Sequence, residues 1–282
     1  MRLGTALRLG RVSNLPTVWS NALAGAVLAG AGGFGPEFAL VLVAFSLFYT
    51  GGMFLNDAFD APFDARQRPE RPIPSGEVGA REVFAWGYGL MALGIAVLAG
   101  FGVAPALAGL TLAVAITFYD WHHKQNLFGP VVMGLCRVLV IIGAALCYAA
   151  VLPDRLWIGA AMMLCYLIGL TYVAKQENLE RVANLWPLAF LAAPVAYGAW
   201  RALAEPAVLA YWAVFTAWML VALWFLRRRR KGDIPRAVVS LIAGISLLDA
   251  VLIAGAGAPG IALLAVAGFG ATLAFQRYIA GT

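Results

Sequence analysis

The sequence predicts an all-α fold: a polytopic membrane bundle of nine to ten transmembrane helices. Hydrophobic residues make up 62% of the 282 residues and charged residues only 12%, whereas soluble domains carry about 25% charged residues. Apolar runs of about 20 residues recur along the chain, which is the length of a helix that spans a bilayer. These runs are continuous rather than alternating, which argues against an outer-membrane β-barrel.

Ten apolar segments follow one another in what we interpret as a single domain, residues 1–282. The first run is long enough to stay in the membrane and does not resemble a cleaved signal peptide. The GAPG sequence at 257–260 predicts a turn between the last two segments. The expected spans are 12–32, 38–59, 82–101, 103–119, 128–151, 155–174, 184–203, 207–226, 235–255 and 258–276.

Basic residues are distributed unequally between alternate connections. If the N-terminus lies in the cytoplasm, that side receives 17 of the 20 Lys and Arg, and such asymmetry sets the orientation of membrane proteins. We therefore expect a protein of the bacterial cytoplasmic (inner) membrane whose N-terminus and active-site loops are cytoplasmic. The net charge of +6 is explained by this topology and does not indicate nucleic acid, and the RRRRK run at 227–231 is expected to contact membrane lipids.

The densest cluster of charge follows the second span, at 56–76, with the sequence NDAFDAPFDARQRPERPIPSG. Asn56, Asp60 and Asp64 recur at intervals of four residues, which places side chains on one face of a helix. Hard oxygen donors of this kind suit Mg²⁺, which binds one or two carboxylates together with substrate phosphates. The three residues are therefore the predicted metal ligands.

The proline within this cluster predicts where the helix ends. Pro62 fits poorly in a helix interior, so we expect the helix to end near Phe59. Asp64 would then lie in the loop that follows.

Three arginines come directly after these acids, at Arg66, Arg68 and Arg71. The planar guanidinium group matches the oxygens of a phosphate. Carboxylates for a metal beside arginines for phosphate predict a diphosphate that is held through Mg²⁺. We assign Arg66 and Arg71 to the diphosphate, together with Asn56.

Two later connections on the same side also carry polar chemistry. The sequence YDWHHKQN lies at 119–126, and TYVAKQENLERVAN lies at 171–184. The second of these places Gln176, Glu177 and Glu180 within five positions, in a connection equivalent to the first cluster but four spans later. A solvated loop next to the membrane has a similar composition, so this cluster is also compatible with a purely topological role.

Charged and amide side chains inside the spans are the remaining candidates. Arg137 lies about 13–15 Å along the fifth span, where a charge is costly and usually faces a cavity or a partner. We expect it to face the diphosphate or an acceptor carboxylate. Asp249 either pairs with an arginine or lines the cavity, and Asn14 and Asn21 either bind the acceptor or join helices.

The pattern Asn56-x3-Asp60-x3-Asp64, followed by Arg71, Pro72 and Gly76, resembles the UbiA superfamily of intramembrane prenyltransferases. The resemblance covers nearly the whole chain. Within the superfamily, the sequences YDWHHK and TYVAKQE are most similar to the EboC-like branch. The resemblance implies a helical bundle, commonly of nine spans around a central cavity, in which two acidic motifs bind a polyprenyl diphosphate through Mg²⁺. It also implies that the prenyl group is transferred to an aromatic or other lipophilic acceptor.

The resemblance also implies roles for residues of the later connections. Lys124 is expected to hold diphosphate, Glu177 and Glu180 to bind a second or shared Mg²⁺, and Gln176 to contact the diphosphate. The family usually carries aspartates at the positions of Gln176 and Glu180, so this chain departs from the pattern there, and the neutral Gln176 would weaken a second metal site. Asp60, Asp64, Lys124 and Arg137 are the predicted catalytic residues.

Two other functions are compatible with the sequence. A polyprenyl-lipid binding or transport protein on the same fold would bind without chemistry, and the departures in the second motif favour this alternative. An ion-coupled transporter would place carboxylates near the membrane midplane, where only Asp249 is found. Release of diphosphate in the presence of both substrates and Mg²⁺ distinguishes an enzyme from a binding protein.

Overall fold

The computed structural model describes residues 1–122, 126–175, 188–279 and 281, and these residues form helices and no strands. A short helix α1 and a 3-10 turn precede ten longer helices, which lie at the positions of the ten predicted spans. Their bounds are α1 Leu3–Leu9, the 3-10 turn Val12–Asn14, α2 Leu15–Ala29, α3 Glu37–Gln67, α4 Ala80–Ala99, α5 Val103–His122, α6 Gly129–Leu146, α7 Asp154–Lys175, α8 Ala189–Ala204, α9 Pro206–Arg228, α10 Asp233–Gly255 and α11 Pro259–Phe275.

Seven of these helices are long and apolar enough to cross a membrane, namely α3, α4, α5, α6, α7, α9 and α10. The helices α2, α8 and α11 have 15, 16 and 17 residues, somewhat short of the length that spans a bilayer without tilt or thinning. The all-helical membrane fold is confirmed, and the count of nine to ten spans stays a prediction.

Two hydrophobic clusters divide the bundle. One joins α2 through α6, with Phe45, Phe48 and Leu112 at its centre. The other joins α2, α6 and α7 with the C-terminal helices, and α10 contributes more buried residues to it than any other helix. Because α2 and α6 contribute to both clusters, they form the partition along which the two halves meet.

Close approach of α2 and α6 depends on Gly25. A Cβ atom on this residue would lie 2.2 Å from the carbonyl oxygen of Ile141, so only glycine allows the two backbones to pack at this distance. Small residues at helix contacts are typical of membrane bundles. One turn before this contact lie Asn21 on α2 and Arg137 on α6, and both therefore stand at the same depth in the bundle.

The helix α3 continues past the point where the sequence predicts its end. It runs through Pro62 to Gln67, so Asp64 lies in the last helical turns, 3% exposed, and the prediction that it lies in a loop is wrong. Proline in a helix interior costs about 3 kcal/mol. Arg71 offsets this cost, because its Nη1 donates to Asp57 at 3.1 Å and to Asp64 at 3.0 Å, which are two helical turns apart on either side of Pro62.

Candidate functional site

A cavity of about 500 Å³ opens between α2, α3, α5, α6, α7 and α10. Its charged lining residues lie mainly where α3, α5 and α7 end and α2 and α6 begin, which we call the motif end. The deeper walls are mostly apolar. The lining residues discussed below are Arg11, Phe45, Phe48, Tyr49, Asn56, Asp60, Asp64, Arg68, Arg71, Leu112, Ile116, Asp120, Arg137, Val140 and Lys175.

The three acid-motif residues on α3 line this cavity together. Asn56, Asp60 and Asp64 stand four residues apart in one uninterrupted helix, so they project from the same face. The expected convergence is therefore present, although by continuation of the helix and not by a loop. All three offer oxygen atoms to the cavity mouth.

Asp57 is a site residue that sequence reasoning missed. Its Oδ1 accepts hydrogen bonds from Arg11 Nη2 at 3.0 Å and from Arg71 Nη1 at 3.1 Å, and its side chain is 9% exposed. A carboxylate paired in this way fixes two guanidinium groups beside the motif. The sequence feature that could have identified Asp57 is its spacing of seven residues from Asp64, which places the two acids on one helical face.

Arg11 is held in an unusual backbone conformation. Its φ is +41°, a left-handed region that is unfavourable for residues with a Cβ atom and is found where surrounding contacts hold the chain in place. Besides the pair with Asp57, its carbonyl oxygen accepts a hydrogen bond from the Tyr49 hydroxyl at 3.3 Å. These contacts present the Arg11 side chain to the cavity.

The orientation of the Asn56 amide follows from its neighbour on α5. Asn56 Nδ2 donates to Asp120 Oδ1 at 3.1 Å, and Asp120 is 4% exposed. With the amide nitrogen turned toward α5, the amide oxygen faces the other way, where Arg11 Nη2 lies 3.5 Å from it. Asp120 thus sets which end of the Asn56 amide is available as an oxygen donor.

The predicted phosphate-binding residues are not all brought together. Arg68 and Arg71 line the cavity, whereas Arg66 is exposed and is not part of the lining. The reason is helical periodicity: Arg66 follows Asp64 by two residues, about 200° around α3. The assignment of Arg66 to the diphosphate stays a prediction that its position outside the cavity lining disfavours, whereas Arg68 and Arg11 join Arg71 in that lining.

The remaining predicted residues at the motif end fall outside the part of the chain that the structure describes. They are Lys124, Gln176, Glu177 and Glu180. Lys175, directly before the second motif, does line the cavity, and its Nζ donates to the carbonyl oxygen of Asn126 at 2.7 Å. This contact places the end of α7 next to the connection between α5 and α6.

Arg137 lies deeper in the cavity than the other charged lining residues. Its Nη1 donates to Asn21 Oδ1 at 3.0 Å and its Nη2 donates to Thr17 Oγ1 at 3.1 Å. Tyr49, whose ring centroid lies 5.8 Å from the guanidinium carbon of Arg137, precedes Asn56 and Asp60 on α3 by seven and 11 residues, which corresponds to about 10–17 Å along the helix axis. Arg137 therefore faces the cavity as expected, but at a distance from the motif.

The buried acid Asp249 lies behind this arginine. Asn21 Nδ2 donates to both of its carboxylate oxygens, at 3.0 and 2.8 Å, and Ser20 Oγ lies 2.6 Å from Oδ2. Asp249 is fully buried and does not line the cavity. Both alternatives left open by the sequence are answered: Asp249 is paired with an arginine through Asn21, and Asn21 joins helices.

Mg²⁺ fits the donor set at the motif end. Within the described ranges, no group of three His, Cys, Asp or Glu side chains is close enough to hold a metal alone. Mg²⁺ does not require such a cage, because it commonly binds one or two carboxylates together with substrate phosphates and water. Asp60 and Asp64, with the oxygen of Asn56, form that kind of incomplete set beside three cavity-lining arginines.

The comparisons with known proteins identify one family. Residues 18–245 match the profile of the UbiA prenyltransferase family. The chain is 30% identical over 201 residues to a digeranylgeranylglyceryl phosphate synthase of Methanopyrus kandleri, a match that covers 68% of this chain and 69% of the relative. A synthase of the same name from Metallosphaera sedula is 31% identical over 144 residues, where the match spans about half of each protein, 50% and 51%.

Solved structures share the fold. The apo structure of a UbiA homologue from Aeropyrum pernix superposes with a TM-score of 0.68 at 18% identity, covering 84% of this chain and 97% of that one. The structure of a UbiA homologue from Archaeoglobus fulgidus bound to GPP and Mg²⁺ has a TM-score of 0.60 at 17% identity, covering 90% and 99%. The family resemblance seen in the sequence is confirmed, and the EboC-like branch stays a prediction.

Proposed function

Because this chain belongs to the UbiA prenyltransferase family, we propose that it transfers a prenyl group from a polyprenyl diphosphate to a lipophilic acceptor inside the membrane, with Mg²⁺ bound at the motif end. The observation that carries the proposal is the cavity itself. Its mouth combines the oxygens of Asn56, Asp60 and Asp64 with Arg11, Arg68 and Arg71, and its interior is mostly apolar. A diphosphate with a hydrocarbon chain has the same division between a charged end and an apolar end.

The arginines can stabilise the negative charge that develops on the leaving diphosphate. When the bond between the allylic carbon and the diphosphate oxygen breaks, the electron pair leaves with the diphosphate, and its negative charge increases. Guanidinium groups that are already in place stabilise this charge without reorganisation. Asp57 supplies that preorganisation, because it fixes Arg11 and Arg71 on one oxygen atom.

Asn56, Asp60 and Asp64 would hold the metal, with Glu177 and Glu180 of the second motif as further predicted ligands. Bound Mg²⁺ supplies charge neutralisation on the leaving diphosphate. The Asp120 contact keeps the oxygen of Asn56 directed away from α5. Lys124 and Gln176 remain predicted contacts of the diphosphate.

The apolar walls can protect the reacting allylic carbon from water. The allylic carbon becomes electron-poor as the leaving group departs, and water would capture it. Phe45, Phe48, Leu112 and Ile116 line the interior and exclude water from the bond that forms. The nucleophile of the acceptor then bonds to that carbon and releases a proton.

Diphosphate release is the direct test of this function. The purified protein in lipid nanodiscs is given prenyl diphosphates of increasing length, starting with geranylgeranyl diphosphate because two relatives are named for a digeranylgeranyl product. A membrane lipid extract provides the acceptor. We expect release that requires Mg²⁺ and acceptor and that falls at least 100-fold in Asp60→Asn.

The matched control is Asp154→Asn, an exposed acid at the start of α7 that lies outside the cavity. It should release diphosphate at the wild-type rate. Binding of the prenyl diphosphate without release, under every acceptor condition, would instead favour the polyprenyl-lipid binding protein.

A further inference from the structure

The deep part of the cavity holds a second polar site that the motif does not explain. Arg137 is the charged side chain among the described lining residues that lies away from the motif end. Around it the wall is formed by Phe45, Val140 and the ring of Tyr49, whose centroid lies 5.8 Å from the guanidinium carbon. A diphosphate bound at the motif end would lie about 10 Å away, judged from the helical rise between Tyr49 and Asn56 on α3.

Arg137 is fixed in place with hydrogen-bonding capacity left over. An arginine has five N–H donors, and the described residues accept two hydrogen bonds from it, at Asn21 and Thr17. Asn21 and Thr17 are both fully buried on α2. The Gly25 contact holds α2 against α6 at this depth. The guanidinium group is therefore a rigid donor at the cavity wall.

A carboxyl group lies directly behind Arg137 and balances its charge when ionised. Asn21 accepts from Arg137 through its oxygen and donates to Asp249 through its nitrogen, so one amide separates the cation from the carboxylate. Ser20 and Ser246, whose hydroxyl oxygens lie 2.9 Å apart, complete the surroundings of Asp249. An anionic ligand at Arg137 would bring a second negative charge into a dry interior, which is costly without a second cation.

From this geometry we infer that Arg137, positioned by Asn21 and Asp249, determines acceptor specificity by donating hydrogen bonds to an uncharged oxygen, such as a hydroxyl, ether or carbonyl group. The inference rests on the proposed function, since the acceptor is the second substrate of that reaction. Arg137 is the contact residue, and Asp249 is a positioning residue that sets the charge of the site. An acceptor phosphate or carboxylate is disfavoured at this depth.

The test measures binding of two matched probes, geranylgeranylglycerol and geranylgeranylglyceryl phosphate, which share a carbon skeleton and differ in charge. Tritiated probes are titrated against the protein in nanodiscs, loaded with Mg²⁺ and a non-cleavable geranylgeranyl thiolodiphosphate. We expect wild type to bind the uncharged probe at least five times more tightly than the phosphate. Weaker discrimination, the opposite preference or no binding of either probe would overturn the inference.

Asp249→Asn tests whether Asp249 sets the charge preference of the site. If Asp249 were purely structural, its replacement would leave the ratio of the two probe affinities unchanged. It removes the balancing charge and leaves the shape of the side chain, so the preference should shift toward the phosphate probe by more than fivefold. Asp233→Asn, on the same helix but paired with Arg228 outside the cavity, should keep the wild-type ratio. A shift of fivefold or less in Asp249→Asn would overturn the role of Asp249.

A double variant keeps the inference testable if Asp249→Asn does not fold. Arg137→Met with Asp249→Leu removes both charges together and leaves neither one buried alone. It should bind the uncharged probe at least fivefold more weakly and retain its affinity for geranylgeranyl diphosphate. If the probes bind as expected but none of the prenyl diphosphates releases diphosphate, only the proposed function is contradicted. If diphosphate is released but the probes bind with the wrong preference, only this inference is contradicted.

Discussion

Arg11 Nη2 and Asp57 Oδ1 lie 3.0 Å apart, although 46 positions separate the two residues in the chain. This ion pair joins the stretch between α1 and the 3-10 turn to the C-terminal half of α3 at the mouth of the cavity. The same carboxylate oxygen accepts from Arg71, so one buried acid organises two of the three arginines that face the motif. Asp57 is not itself among the residues that line the cavity.

Replacing Asp57 should therefore weaken substrate binding through the arginines. In Asp57→Asn we expect affinity for geranylgeranyl diphosphate to fall about 10- to 100-fold, since hydrogen bonds to charged groups are worth about 1.5–3 kcal/mol. Equilibrium binding in nanodiscs measures this change. Asp154→Asn is the control, and wild-type affinity in Asp57→Asn would show that the arginines are held by other contacts.

The arginines after the motif should differ in importance. Arg68→Ala removes a cavity-lining cation and should raise the KM for the prenyl diphosphate about 10-fold or more. Arg66→Ala removes an exposed cation outside the lining and should change the KM less than twofold. Steady-state diphosphate release distinguishes the two variants, and the reverse order of effects would contradict the placement of α3.

Pro62 should be dispensable for the site. Pro62→Ala restores a backbone N–H inside α3 and is expected to raise the free energy of unfolding by up to about 3 kcal/mol, while diphosphate release stays within threefold of wild type. Chemical unfolding in lipid and the release assay measure the two quantities. A large loss of release would mean that the proline itself sets the direction of Asp64.

Gly25 should be intolerant of any side chain. Because a Cβ atom would lie 2.2 Å from the Ile141 carbonyl oxygen, Gly25→Ala must push α2 from α6, at a cost of about 1–3 kcal/mol. Thermal unfolding in nanodiscs measures the loss. The control is Gly89→Ala on α4, where nothing lies within 4 Å of the added atom and where alanine should stabilise the helix by about 0.5–1 kcal/mol.

Mg²⁺ should bind together with the diphosphate. The described acids do not form a three-residue cage, so Mg²⁺ alone should bind the folded protein weakly. A weakly bound ligand adds little stability, and we expect the melting temperature to change by less than about 1 °C. Mg²⁺ with geranylgeranyl diphosphate should raise it by several degrees, and removal of the metal with a chelator should abolish the rise. An equal rise with Mg²⁺ alone would indicate a complete protein metal site.

Local patterns in the sequence were sufficient to predict the positions of the helices and the shared helical face of the motif residues. Continuous apolar runs predict spanning helices because burial in lipid requires them, and all ten longer helices lie at the predicted positions. The interval of four between Asn56, Asp60 and Asp64 is likewise a property of one helix. The sequence failed locally at Pro62, where the helix continues and Arg71 pairs with Asp57 and Asp64 on either side of the proline.

What only the tertiary structure decided is which charges meet. Asp57 with Arg11, and Asp249 with Arg137 through Asn21, each join residues that are far apart in the chain, and no spacing in a single sequence encodes such partners. Arg66 lies within α3 on the face away from Asp64, whereas Arg68 lies just past the end of that helix, so the two neighbours in sequence differ in position. The local hydrophobic pattern thus determined where helices form, whereas packing of those helices determined the electrostatics of the cavity, because charges interact over distances in space and not along the chain.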